Sequence, residues 1–468
     1  MKKTLISFLI LALGNTFAMA SAIQKKDLSL TIYNQNIALV RDVREIKLKN
    51  GLNTLKFTDV AASINPTSVS FKSLTAPSKL SILEQNYEYD LVNSDKLLFR
   101  YIDSTIKVIT KDDHLYEGTL SSYDRNQLVL VKNKGAVFMI NRENIRNIEF
   151  PELPQGLITK PTLVWLLSNQ KSGSHEIELN YLTDNMNWHS DYVANISENN
   201  GKISLNGWVT IKNNSGTIYE NANIKLIAGD INKIRPTMNR EKSFGASSMK
   251  TLSSTPQFKE KSFFEYHMYT MQRKSTLKNN QTKQIELFSA PEVMAKKVYT
   301  YKGANYGYYY YNNWTNQKCN KKINVNLEFK NSKENGLGIP LPKGKVRVYK
   351  EDSDKSMQFI GEDAIDHTPE DETLDLYLGN AFDIVGERKI MNHTKITSKI
   401  YQDTYKVELR NHKKTAVMVK VIEKQWGDWR IIKTNRKYTK VDSTTLEFYV
   451  KIPAGGKKTV TYTSEYRF

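Results

Sequence analysis

Cysteine is nearly absent from this chain: Cys319 is the only one in 468 residues. One thiol closes no intramolecular disulfide, so stability must come from apolar burial and backbone pairing. No His sits beside Cys319, which favours an ordinary small residue over a reactive or intermolecular thiol. Histidine is sparse too, with 7 scattered along the chain. No GxSxG elbow, P-loop, HExxH helix, EF-hand loop or CxxC pair occurs, so the common signatures of hydrolases, nucleotide enzymes and metal proteins are missing. No interior stretch approaches the roughly 20 apolar residues of a membrane-spanning helix.

Acidic side chains are also in deficit, with 49 Asp and Glu against 68 Lys and Arg, a net charge of +19. That balance suits anionic partners such as an acidic envelope polymer, lipid headgroups or a protein partner. The surplus is uneven: Ile231 to Asn320 holds 15 Lys or Arg and 5 Asp or Glu. Nucleic acid is disfavoured as the partner because base-stacking motifs are missing.

What is present begins with an address. Lys2 and Lys3 precede an apolar run from Leu5 to Leu13, followed by small residues to Ala18-Met19-Ala20. This is the order of a secretory signal peptide, so residues 1–20 are expected to be removed after Ala20. The run is too short to be an anchor. The product is expected to be periplasmic, outer-membrane associated or secreted.

Beyond the leader, the chain is long enough for two to four domains at roughly 100 to 200 residues each. Leu28 to Val40, Val43 to Leu48, Asn53 to Phe57 and Thr67 to Leu74 alternate apolar and polar residues between Asn, Gly and Pro turns. They predict an N-terminal β domain over 21–92. Leu97 to Pro151 packs about five alternating segments between polar turns, which predicts a small SH3-like or Sm-like five-stranded barrel inserted at 93–155. From 156 to 468 the pattern is that of antiparallel β-sandwiches. Trp188, Tyr192, Trp208 and Tyr219 stand where such a core needs bulky rings. The fold class read from the sequence is therefore all-β. Residues 231–261 interrupt it with Ser, Thr, Lys, Arg and two prolines, Pro236 and Pro256, and are expected to form a basic disordered loop.

Three strings carry a resemblance. LEQNYEYDL (Leu83 to Leu91), the block from Tyr181 to Asp230, and Asn335 to Arg388 occur in the order found in exported bacterial proteins of the domain of unknown function 4139 family. The chain resembles that family over nearly its whole length after the leader. The resemblance implies an exported β-sandwich and supplies no catalytic residue. Some relatives carry a coiled coil where this chain places its small barrel.

Three clusters could carry chemistry. His189 and Asp191 share a strand face, as a general-base or metal pair would, but no third ligand is near. Asp363, Asp366 and His367 lie in the acidic stretch GEDAIDHTPEDE, which would serve a hydrolase acting on an envelope polymer if its carboxylates faced each other across a cleft. The stretch lacks the glycine-punctuated order of a calcium loop and reads as a solvated turn. The alternating end from Val460 to Phe468 also resembles the closing strand of an outer-membrane β-barrel, although the preceding strands are irregularly spaced.

The residues therefore favour a non-enzymatic, exported β-sandwich protein that binds or scaffolds at the bacterial envelope or cell surface. No cofactor, metal or catalytic residue is expected. The expected contact residues are Arg273, Lys274, Lys296, Lys297 and the ring cluster Tyr308, Tyr309, Tyr310 and Tyr311, where charge attracts an anionic partner and aromatic rings add contact area.

Overall fold

The structure, a computed structural model, describes residues 24–89, 93–132, 135–151, 160–197, 201–229, 231–232, 257–303 and 319–467. Strands make up 68% of it and helix 4%, so the all-β expectation holds. Among the described residues no helix is long and apolar enough to cross a membrane. The leader 1–20 and most of the basic loop, 233–256, lie outside the described residues. The last residues of that expected loop form the strand Phe258–Phe263, which pairs with Tyr266–Met271.

Alternation explains the first sandwich. In Gln24–Tyr33, Leu28, Leu30 and Ile32 point inward, and Asn36 at φ 61 turns the chain into Ile37–Leu48. These two strands pair antiparallel, while Gln24–Tyr33 pairs parallel with Tyr219–Ala228 on its other edge. Ile37–Leu48 continues into Gly173–Asp184, completing much of an eight-stranded sheet. The facing layer contains Gly51–Thr58, Thr162–Asn169 and Leu80–Glu88. Strands before and after the insertion thus share both layers. Their common core holds Trp165, Trp188, Tyr181 and Phe57, each removed from water. A fully buried large apolar side chain contributes about 1.5–3 kcal/mol, so this core replaces the missing disulfides.

The insertion contains the five expected strands. Ser94–Arg100 forms a short helix capped by Asn93, whose side chain accepts the Lys96 N–H at 2.9 Å. The sheet order is Ile145–Glu149, Thr105–Thr110, Leu115–Tyr123, Gln127–Val131, Val137–Asn141. Leu98, Val108, Leu120 and Leu130 fill its core. The connection Arg142–Asn144 carries the chain from one edge of this sheet to the other, and the two end strands, Val137–Asn141 and Ile145–Glu149, do not pair, so the five strands do not close into a complete ring.

Two long strands join the remaining parts. Gln281–Tyr301 pairs with Lys202–Asn213 through its first half and with Lys322–Lys330 through its second. Thr373–Lys395 likewise passes from Lys322–Lys330 to Ile400–Asn411. Between them the 13-stranded sheet curls around Tyr192, Leu205, Val293, Leu327, Val346 and Leu376. Its edge strand Met357–Ile365 approaches Thr373–Lys395 without forming a ladder. Gly361 permits this approach, since a Cβ there would lie 2.6 Å from the Leu378 carbonyl oxygen. The C-terminal sandwich follows, with Val407, Val419, Phe448, Val450 and Tyr462 in its core.

Candidate functional site

The expected contact residues are spread over separate places. Arg273 and Lys274 follow the strand Tyr266–Met271. Arg273 Nε donates to Gln257 Oε1 at 3.3 Å, and Lys274 Nζ pairs with Asp27 at 3.2 Å. Asp27 also accepts from Arg41 at 3.1 Å, so Lys274 belongs to a surface ion-pair group on the first sandwich. Lys296 and Lys297 are successive residues of one strand and point to opposite faces. Tyr308, Tyr309, Tyr310 and Tyr311 lie outside the described residues.

The acidic stretch also resolves into individual roles. Asp363 accepts the Ala364 N–H at 2.8 Å and the Tyr377 N–H at 2.7 Å, pinning the edge strand to its neighbour. The Asp366 carbonyl accepts from Thr368 Oγ1 at 2.8 Å. His367 Nδ1 accepts the Lys343 N–H at 3.2 Å, and its Nε2 lies 3.2 Å from the Asn34 side-chain amide. His367 thereby fastens the curled sheet to the turn after the first strand.

His189 and Asp191 do share a face, with Nε2 and Oδ2 3.2 Å apart. Thr210 Oγ1 donates to Asp191 at 2.7 Å and Arg347 pairs with it at 3.3 Å; Arg347 also lies 3.5 Å from Glu362. This stripe crosses several strands. Burial opposes ionisation of Asp191, yet hydrogen bonds from His189 and Thr210 and the charges of His189 and Arg347 outweigh it and bring the carboxyl down to about 2. Among the described residues no group of three or more His, Cys, Asp or Glu is placed to hold a metal ion.

One of the expected cations lines a cleft. At one end of the curled sheet, Ile196, Leu327, Ile360 and Leu378 form the walls of a cavity of about 230 Å³, together with Lys297 and Lys350. The ladders set these positions: Ile196 is opposite Lys350 in the parallel pairing, and Lys297 is opposite Leu327 in the antiparallel one. Lys297 also rests 5.7 Å from the centre of the Tyr299 ring. Two cations therefore meet an apolar concavity. Lys350 was not singled out by sequence reasoning, because its partner across the ladder, Ile196, is 154 residues earlier, roughly the length of a whole domain.

A second arrangement lies inside the C-terminal sandwich. Arg388 Nε donates to Glu423 Oε2 at 2.8 Å, and Tyr462 donates to the same oxygen at 2.6 Å. The Arg388 guanidinium lies 4.1 Å from the centre of the Tyr405 ring. Tyr466 donates to Tyr405, and Tyr405 to Asp403, each at 3.0 Å; Asp403 meets His393 Nδ1 at 2.5 Å. Burial raises the Tyr405 and Tyr462 hydroxyls far above their ordinary range and Tyr466 to about 12, so all three are neutral donors. The sequence did carry a signal here: Glu423 continues the inward series Val417, Val419, Val421.

Neither a scan against protein-family models nor a search of curated proteins finds a match to this chain.

Proposed function

We propose that this chain is a non-enzymatic, exported β-sandwich protein that binds or scaffolds an anionic partner at the bacterial envelope or cell surface. The observation that carries the reading is where the positive charge sits. Of the Lys and Arg side chains among the described residues, only Arg44 and Arg388 are buried. Both are neutralised, by Asp42 at 2.7 Å and Glu423 at 2.8 Å. The other Lys and Arg side chains among the described residues are at least partly exposed to solvent, in a chain whose net charge is +19. A field of one sign raises the local concentration of an oppositely charged partner and speeds its arrival. The leader-like residues 1–20 and the likeness to exported proteins of the domain of unknown function 4139 family support the location.

Sedimentation with phosphatidylglycerol vesicles, phosphatidylcholine vesicles and polygalacturonate beads over a salt series tests this reading. Exposed charges are screened beyond about 8 Å at physiological ionic strength, so binding to the anionic materials should fall steeply with salt. Equal binding to phosphatidylcholine, or retention indifferent to salt, overturns the proposal.

A further inference from the structure

The hairpin at the edge of the first sandwich ends in two adjacent phenylalanines. Phe258–Phe263 pairs antiparallel with Tyr266–Met271, and Phe263 opposite Tyr266 is the last pair, so Phe264 and Glu265 form a two-residue turn. The neighbouring strand Tyr219–Ala228 stops short of this tip, its last pair joining Ala228 to His267. Phe263 is 53% exposed and Phe264 82%, and neither ring joins a buried cluster. Of the two turn residues only Phe264 has a positive φ, at 56. A two-residue hairpin turn ordinarily gives that position to glycine, so a phenylalanine there costs folding energy and gains no core packing in return. Tyr266 braces the turn: its ring packs where a Cβ on residue 229 would stand, and lies 6.2 Å from the Phe264 ring. Alternation sorts the charges of the stem. Lys259 and Lys261 lie on the face that Phe263 shares, whereas Glu260 lies on the other and meets His267 Nδ1 at 2.8 Å.

We propose that this tip enters the boundary of a lipid bilayer, with the Phe263 and Phe264 rings at the ends of the acyl chains and Lys259 and Lys261 among the headgroups. Glu265 limits the depth, because a carboxylate is expensive in hydrocarbon, so the tip stays at the interface. A protein partner fits this surface less well. An aromatic side chain offers about 150–250 Å² when wholly buried, so two partly exposed rings fall well short of the roughly 800 Å² per partner of a specific protein interface. A bilayer requires no matching surface. The inference deepens the proposed function and rests on it for the sign of the headgroup charge, which the two lysines complement. It adds apolar anchoring, which exposed charge alone does not supply.

The test is flotation of the purified full chain with phosphatidylglycerol and phosphatidylcholine vesicles, beside retention on polygalacturonate beads, which have no acyl chains. Phe263→Ser combined with Phe264→Gly should weaken phosphatidylglycerol-vesicle binding at least tenfold, since taking one phenylalanine side chain fully out of water is worth about that factor or more. Bead retention should not change. Phe264→Gly alone suits the turn's backbone and serves if the double variant does not fold by circular dichroism, and Phe264→Trp should keep the binding. A nitrobenzoxadiazole dye on Phe264→Cys, in a Cys319→Ser background, should brighten and shift to the blue on phosphatidylglycerol vesicles. Vesicle binding unchanged by the phenylalanine variants, a dye that keeps its aqueous emission on bound vesicles, or self-association that needs the rings without any vesicle binding overturns the proposal. Bead retention with no vesicle binding removes the tip proposal and leaves the surface reading; vesicle binding that needs the rings but ignores salt and headgroup charge does the reverse.

Discussion

Arg388→Met should destabilise the C-terminal sandwich by about 3–5 kcal/mol, the usual cost of removing one partner from a buried ion pair. The structure places this pair in that class. Arg388 and Glu423 side chains are 6% and 0% exposed, with nitrogen and oxygen 2.8 Å apart. Glu423 Oε1 is buried with no hydrogen-bond partner, so the carboxylate already relies on Arg388 and Tyr462 at its other oxygen. With Arg388 gone, one neutral hydroxyl would face a buried charge. Tyr462→Phe should cost about 1.5–3 kcal/mol, the worth of a hydrogen bond to a charged group. Arg388→Met with Glu423→Leu should recover most of the loss, because neither charge then requires solvation. In a chain with several cores a single unfolding midpoint is ambiguous, so hydrogen exchange of peptides from Ile400–Asn411 and Lys457–Arg467 is the proper assay. A single-variant loss below about 1 kcal/mol, or a double variant no more stable than the sum of its parts, refutes the argument.

Other outcomes are equally specific. The Asp191 carboxyl, at about 2, lies below its ordinary value, so the unfolded chain takes up this proton more readily than the folded one. Its stabilisation of about 2 kcal/mol is complete above about pH 5 and is lost as pH falls toward 2; Asp191→Asn should flatten that acid limb in urea titrations. Gly336 has φ +82, and a Cβ there would lie 2.2 Å from the Glu292 carbonyl oxygen, whereas Gly455 at φ +59 has open space. Gly336→Ala should therefore cost more than Gly455→Ala, the backbone contribution alone being about 1–3 kcal/mol, and equal melting temperatures would contradict this. Lys296→Glu with Lys297→Glu should weaken phosphatidylglycerol-vesicle binding at low salt and change it little at high salt; the same loss at both would show that screening is not involved.

The strands were legible because alternation with period two reports directly which side of a sheet is apolar. Leu28, Leu30 and Ile32, or Val417, Val419 and Val421, mark their buried faces with no knowledge of partners. The five strands of the insertion and the core positions of Trp188, Tyr192 and Tyr219 were readable for the same reason, whereas Trp208, expected in the core with them, is half-buried and belongs to none of the core clusters, because it alternates with the buried Gly207 and Val209. The short helix Ser94–Arg100 was not, since two turns give too little periodicity to separate from a loop.

The candidate site was only half legible. Lys297 stood out within a basic segment, but its companion Lys350 comes from a strand whose neighbour is fixed by the parallel pairing with Met186–Ile196. His367 and Asp363 looked like chemistry because the sequence crowds them together; folding gives one to Asn34 and Lys343 and the other to Ala364 and Tyr377. Local order along the chain determined an all-β protein with a basic exterior, because side-chain alternation and charge are properties of neighbouring residues. Which strands became neighbours, which cations met an apolar hollow and which buried charges found each other depended on long-range pairing and close approach, as at Gly361 and Leu378, and these exist only once the chain has folded.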